Sequence, residues 1–119
     1  MTPIRPYQPF DVTWLLPIAE RYGEAIPFLS ALKTLVAAWV VEPLAGLFLY
    51  RDEHGLAVAG LTDKAGVKSL IAIGRAIRSV CREFTSEPIH GHAKPGEWQY
   101  QLFYRLGFRG TDGIMYLEG

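Results

Sequence analysis

Two apolar runs, Leu44 to Arg51 and Leu56 to Leu61, flank the residues Asp52-Glu53-His54-Gly55. The linking residues have turn chemistry with glycine last, so the segment reads as a β-hairpin. Both arms are apolar almost throughout, whereas a strand with one buried face alternates. Both are therefore expected at the centre of a sheet that is covered on its two faces. The rest of the chain must supply a layer for each face.

Upstream, Pro3, Pro6 and Pro9 remove ladder donors, so Thr2 to Tyr7 can form only a short extended edge. Asp11 is a good helix N-cap. Val12, Leu15, Leu16, Ala19 and Tyr22 then recur at helical spacing, with Pro17 as a kink or first-turn residue and Gly23 as the stop. Pro27 suits the first turn of a second helix. Phe28, Leu29, Leu32, Leu35, Val36 and Trp39 predict that this helix continues to about Trp39, although Trp39-Val40-Val41 is strand-like in propensity. Downstream of the hairpin, a polar loop from Thr62 to Lys68 leads to a helix from about Ser69 to Phe84. Leu70, Ile73, Ile77, Val80, Cys81 and Phe84 form its buried stripe, and Arg75, Arg78 and Arg82 face outward. Pro88 to Ala93 reads as a strand, Glu97 to Leu106 as a short helix stopped by Gly107, and Gly113 to Leu117 as a last strand. Helices inserted among these strands predict an α+β fold with a mixed sheet.

With 119 residues, the chain suits one domain over its whole length, 1–119. Twelve lysines and arginines balance 12 aspartates and glutamates, which gives no electrostatic case for nucleic acid or an anionic membrane as partner. Near-zero net charge does little to keep copies apart and admits a homodimer. The single cysteine, Cys81, forms no intrachain disulfide and fits a reducing compartment, here the cytoplasm. The first ten residues lack the apolar core of a signal peptide, and Leu35 to Val41 is too short to span a bilayer.

Several segments resemble the GNAT superfamily of acetyl-CoA-dependent N-acyltransferases. Ile4-Arg5-Pro6 with Asp11 and an amphipathic helix is similar to the family's opening strand and helix. Arg105-Leu106-Gly107-Phe108, after an aromatic-rich helix, is similar to its closing Y-x-x-L-G-F signature. Between them a hairpin runs into a glycine-containing loop and a long helix. The resemblance implies a mostly antiparallel central sheet with helices on both faces, and acetyl-CoA as cosubstrate. It implies pyrophosphate binding at Lys64, Gly66, Val67, Lys68 and Ser69. A helix N-terminus suits that task, because its unpaired N–H groups and positive dipole end face the anion. The family loop reads Q/R-x-x-G-x-G/A. With Gly66 in the first glycine place, Asp63 replaces the leading residue and Lys68 the last one. The family tyrosine that protonates the leaving thiolate falls at Phe103, with Tyr104 one residue on. Tyr104 is the candidate acid.

His90 and His92 alternate on their strand and so share a face. Either is a candidate general base, since histidine titrates near neutrality. A hydrogen-bonded surface pair is the commoner role for such histidines, and two of them without a third ligand predict no metal site. His54 in the hairpin turn reads as solvated. Two functions follow. One is N-acetyl transfer from acetyl-CoA to an amine. The other is a GNAT-fold module without catalysis that binds a protein partner, similar to the shortened GNAT-like proteins of bacteriophages that bind host proteins or serve in virion assembly.

Overall fold

The computed structural model describes residues 4–63, 66–84 and 88–117, leaving aside the side chains of 77–84 and of Trp98. Among these residues the elements follow in the order β1 (Arg5–Pro6), a 3₁₀ turn (Pro9–Asp11), α1 (Val12–Arg21), α2 (Ala25–Lys33), β2 (Leu35–Val41), β3 (Ala45–Asp52), β4 (Gly55–Thr62), α3 (Val67–Phe84), β5 (Ile89–Ala93), α4 (Trp98–Arg105), β6 (Phe108–Arg109) and β7 (Gly113–Leu117). One seven-stranded sheet runs β1-β2-β3-β4-β5-β7-β6. Its ladders are antiparallel except β4 on β5. The fold is α+β with a mostly antiparallel sheet, as expected. No helix among the described residues is long and apolar enough to cross a membrane.

The hairpin occupies the centre, and the non-alternating pattern of its arms has a direct physical reason. Ala45, Leu47, Leu49, Leu56 and Val58 pack into a core with Leu70 and Ile73 of α3 and with Leu102 and Phe103 of α4. Phe48 and Leu61 face the other way, into a second core with Leu15, Ile18 and Ala19 of α1 and Phe28 of α2. Each arm of the hairpin thus buries both its faces.

The expected second helix is too long. It ends at Lys33, and Leu35–Val41 is a strand between β1 and β3. An apolar run of this length fits either periodicity, and the open edge of β3 decides in favour of the strand. Its β-branched and aromatic residues Val36, Trp39, Val40 and Val41 suit that role.

Two assigned caps also differ. The helix expected from Ser69 begins at Val67, so Ser69 lies inside its first turn. The Asp11 carboxylate does not cap α1. It is fully buried and accepts hydrogen bonds from Arg5, from the Gln8 backbone N–H and from the Trp14 indole. Helix α1 continues through Pro17.

Candidate active site

Strands β4 and β5 pair only through Leu56 with Ile89 and Ala57 with His90. Beyond those two pairs, the C-terminal halves of the two strands have no ladder between them. A cavity of about 860 Å³ is lined by Val58 to Thr62 of β4, by Val67 and Ile71 of α3, and by His92 of β5. Tyr22, Glu24 and Pro27 close it from the α1–α2 side, and Leu102 and Phe103 of α4 from the other. A parallel strand pair that separates part-way along leaves such a space at its carboxyl ends.

The loop at the head of α3 is held close to the sheet. The Thr62 hydroxyl donates to the Leu44 carbonyl at 2.8 Å, and the Gly66 N–H donates to the Asp63 carbonyl at 3.1 Å. Gly66 is buried, and a Cβ there would collide with the Leu44 carbonyl oxygen and the Thr62 hydroxyl. A backbone oxygen cannot turn aside as a side chain can. Gly66→Ala is expected to destabilise the protein by about 1–3 kcal/mol, the usual cost of overpacking. A urea titration with unchanged slope checks it, and an unchanged midpoint would show that the loop has another place to sit.

Of the residues expected to hold a pyrophosphate, Val67 lines the cavity. Gly66 is buried, Lys68 is exposed and Ser69 is half-buried, all within or next to the first turn of α3. Lys64 lies outside the described residues. The Asp63 carboxylate, awkward for an anion site, pairs with Arg21 at 3.7 Å.

The candidate acid Tyr104 is not among the lining residues. Its ring is exposed, stacks on Tyr100 at 6.4 Å, and carries the Arg109 guanidinium 3.8 Å above it. Phe103 takes the inward position instead, packed under Gly91, where a Cβ would lie 2.7 Å from its ring. The helix turns by about 100° per residue, which separates the two neighbours onto different faces.

His90 and His92 share a face, as their alternation required, and meet a residue that the sequence did not single out. Asp52, at the end of β3, lies beside both: its Oδ2 is 3.0 Å from His90 Nε2 and 2.8 Å from His92 Nε2. Its Oδ1 accepts the His54 backbone N–H at 2.8 Å. Burial pushes the Asp52 carboxyl up, but the hydrogen bonds from His92, His90 and the His54 N–H together outweigh it and hold the group at about 2. An ionised carboxylate only accepts, so both imidazoles must present Nε2–H to it. In its neutral form His92 then keeps a bare Nδ1. Its side chain is 43% exposed and lines the cavity, whereas His90 is buried.

Asp52, His90 and His92 also offer three ligand atoms within 4.8 Å of one another, the number of protein ligands in many catalytic metal sites. A metal at Nε2 of both rings would move their protons to Nδ1. Metal-bound histidines give that second N–H to an acceptor. In His90 the Nδ1 is buried and has no hydrogen-bond partner among the described residues. The donor set suits a hydrogen-bonded carboxylate–imidazole group better than an ion.

No protein-family model matches the chain, and no curated protein matches it in sequence. Solved structures do match. The GNAT family N-acetyltransferase YhbS of Escherichia coli, in complex with CoA, superposes with a TM-score of 0.70 at 17% identity, over 98% of this chain and 81% of that one. A GNAT family acetyltransferase of Staphylococcus aureus Mu50 gives 0.69 at 15% identity, over 96% of each chain. An N-acetyltransferase of the same organism gives 0.64 at 9%, over 96% and 93%. The chain has the GNAT fold.

Proposed function

We propose that this chain, built on the GNAT fold, is an acyl-CoA-dependent N-acyltransferase, with acetyl-CoA as donor and a primary amine as acceptor. One observation carries the reading: a single open cavity is lined both by the head of α3 and by His92. The coenzyme bound to the fold neighbour from E. coli supports an acyl-CoA ligand here.

In this reading the pyrophosphate lies against the first-turn N–H groups of α3, from Val67 to Ser69, with the Lys68 charge nearby. The thioester enters the space between β4 and β5, where backbone N–H groups of β4 polarise its carbonyl. The amine nitrogen gives up a proton to the bare Nδ1 of His92 and attacks the carbonyl carbon. The carbon–sulfur bond breaks, and the thiolate takes a proton from water, since Phe103 has no hydroxyl and Tyr104 lies outside the cavity; the hydroxide so formed takes the proton held on His92 and resets the base. Asp52 fixes the tautomer of His92 and balances the imidazolium that forms. The enzyme works in the cytoplasm.

Calorimetric titration with acetyl-CoA tests the reading, alongside Lys68→Glu. The wild-type chain is expected to bind, and the variant to bind roughly tenfold or more weakly, since it exchanges a favourable charge for a repulsive one beside the anion. Lys68 is exposed, so the variant should fold normally. No binding at millimolar coenzyme would sink the proposal.

A second reading, a GNAT-fold protein-binding module, draws on the placement of Phe103 and Tyr104 and on the exposed apolar residues Tyr22, Ile26 and Leu29 along α1 and α2. Coenzyme binding with no transfer to any amine would favour it.

A further inference from the structure

We infer that His90 is a positioning residue for acyl transfer: from inside the fold it holds the Asp52 carboxylate at the place where that group fixes His92. The inference rests on the reading of His92 as the base.

Among the described residues Asp52 receives three hydrogen bonds. Two come from water-accessible partners, the exposed His92 ring and the turn N–H of His54. The third comes from His90, whose side chain is 1% exposed. That ring is packed edge-on against His92 at 5.1 Å and His54 at 5.9 Å, and it lies 5.9 Å from the Tyr116 ring. It is the one side-chain donor to Asp52, among the described residues, that is buried. Asp52 itself ends a strand at a turn, with its side chain 21% exposed.

The second nitrogen of His90, Nδ1, is buried and has no hydrogen-bond partner among the described residues. A leucine or phenylalanine would fill the same space with no unpaired polar atom, which is the more stable arrangement for a residue that only packs. The imidazole therefore costs stability at this position, and what it supplies in return is the Nε2–H bond to Asp52. Residues that lower stability while ordering a reactive group belong to functional sites. Without His90, Asp52 would rotate toward water, and His92 would lose the acceptor that keeps its proton on Nε2.

Two variants test this. His90→Leu keeps the packing and removes the donor. His90→Gln places an amide N–H near the position of Nε2. For His90→Leu, kcat is expected to fall about 10- to 100-fold, as for a misplaced catalytic group. KM for both substrates should stay within about twofold, since binding groups are untouched. Its melting temperature should not fall, and His90→Gln should recover most of kcat. A purely structural role predicts the opposite: both variants destabilised, with activity following stability.

A second readout needs no activity. Nitrogen-15 NMR at about pH 8, above the ordinary histidine range, reports which ring nitrogen of His92 carries the proton. In the wild-type chain it is expected on Nε2. In His90→Leu the two tautomers should mix, and in His90→Gln the Nε2 form should return. If the wild-type chain transfers no acyl group but the tautomer responds in this way, the proposed reaction fails while the positioning stands. An unchanged His92 tautomer in His90→Leu overturns the inference. So does micromolar zinc binding that His90→Leu abolishes, which would make the three side chains a metal site.

Discussion

Replacing His92 with glutamine is expected to lower kcat/KM for acyl transfer by about 10²- to 10⁴-fold, the range for loss of a general base. Converted at 1.36 kcal/mol per tenfold, that is about 3–5 kcal/mol of transition-state stabilisation. Glutamine is the informative choice because its amide N–H reaches toward Asp52 from about the place of Nε2. The hydrogen bond at 2.8 Å is kept, and the nitrogen that accepts a proton is lost. His92 is 43% exposed, so stability should be unaffected. One further result belongs to the same expectation. Acetyl-CoA should bind the variant as tightly as it binds wild type, because the proposed pyrophosphate contacts at the head of α3 are untouched. A variant with wild-type kcat/KM would remove His92 from the mechanism. A variant that loses coenzyme affinity in step with rate would make His92 a binding residue.

The second large effect is on stability. Asp11→Ala is expected to cost about 3 kcal/mol, as when one partner of a buried pair is removed. For a domain of this size the melting temperature should fall by roughly 10 °C. The Asp11 side chain is fully buried while Arg5 remains 30% exposed. Four donors converge on its two oxygens. Arg5 contributes two, at 2.6 and 3.0 Å, the Gln8 N–H one at 2.7 Å, and the Trp14 indole one at 2.8 Å. Deleting the carboxylate leaves the Gln8 and Trp14 N–H groups without that acceptor, and frees the β1 edge strand from the start of α1. The Arg5 charge can turn toward water or toward Glu42, 3.3 Å away, which keeps the cost at the lower end of the range for such pairs. The double variant Arg5→Met with Asp11→Leu should recover part of the loss, because it removes the charges together. Acid dependence gives a further check. Burial pushes Asp11 up, but the bonds from Arg5, Gln8 and Trp14 and the Arg5 charge bring it below its ordinary 3.8. A depressed carboxyl contributes stability that is complete above its unfolded value and is lost as pH falls through its folded one. Wild type should therefore lose stability below about pH 4, and Asp11→Ala should lose less there. Equal stability of wild type and variant at neutral pH would mean that the buried cluster only just offsets its own desolvation.

Much of the fold was legible for reasons that can be named. The hairpin announced itself because a strand buried on both faces cannot alternate, and Ala45 to Leu49 packs to both sides. Helix α3 was legible because Leu70 and Ile73 recur on one face and both are fully buried. The segment Leu35–Val41 was not, because seven apolar residues satisfy either periodicity until a neighbouring strand edge claims them. Asp11 looked like an N-cap for a local reason, its place ahead of an apolar helix. Arg5, Gln8 and Trp14, six, three and three residues away, use its oxygens instead.

The candidate site divides in the same way. That His90 and His92 point to one side follows from the two-residue repeat of any strand, and the sequence determined it. That the head of α3 presents backbone N–H groups follows from helix geometry, and the sequence determined that as well. Which histidine faces the cavity was decided by the fold, which buries the His90 ring and leaves His92 43% exposed. The role of Asp52 was also decided there. It stands 38 and 40 residues before its two imidazole partners, and its place in a turn marks it only as a turn residue. Periodicity reports which face a side chain occupies, because that is a property of a few consecutive residues. Whether two faces meet depends on loop closure and packing summed over the whole chain, and no short stretch of this one carries that information.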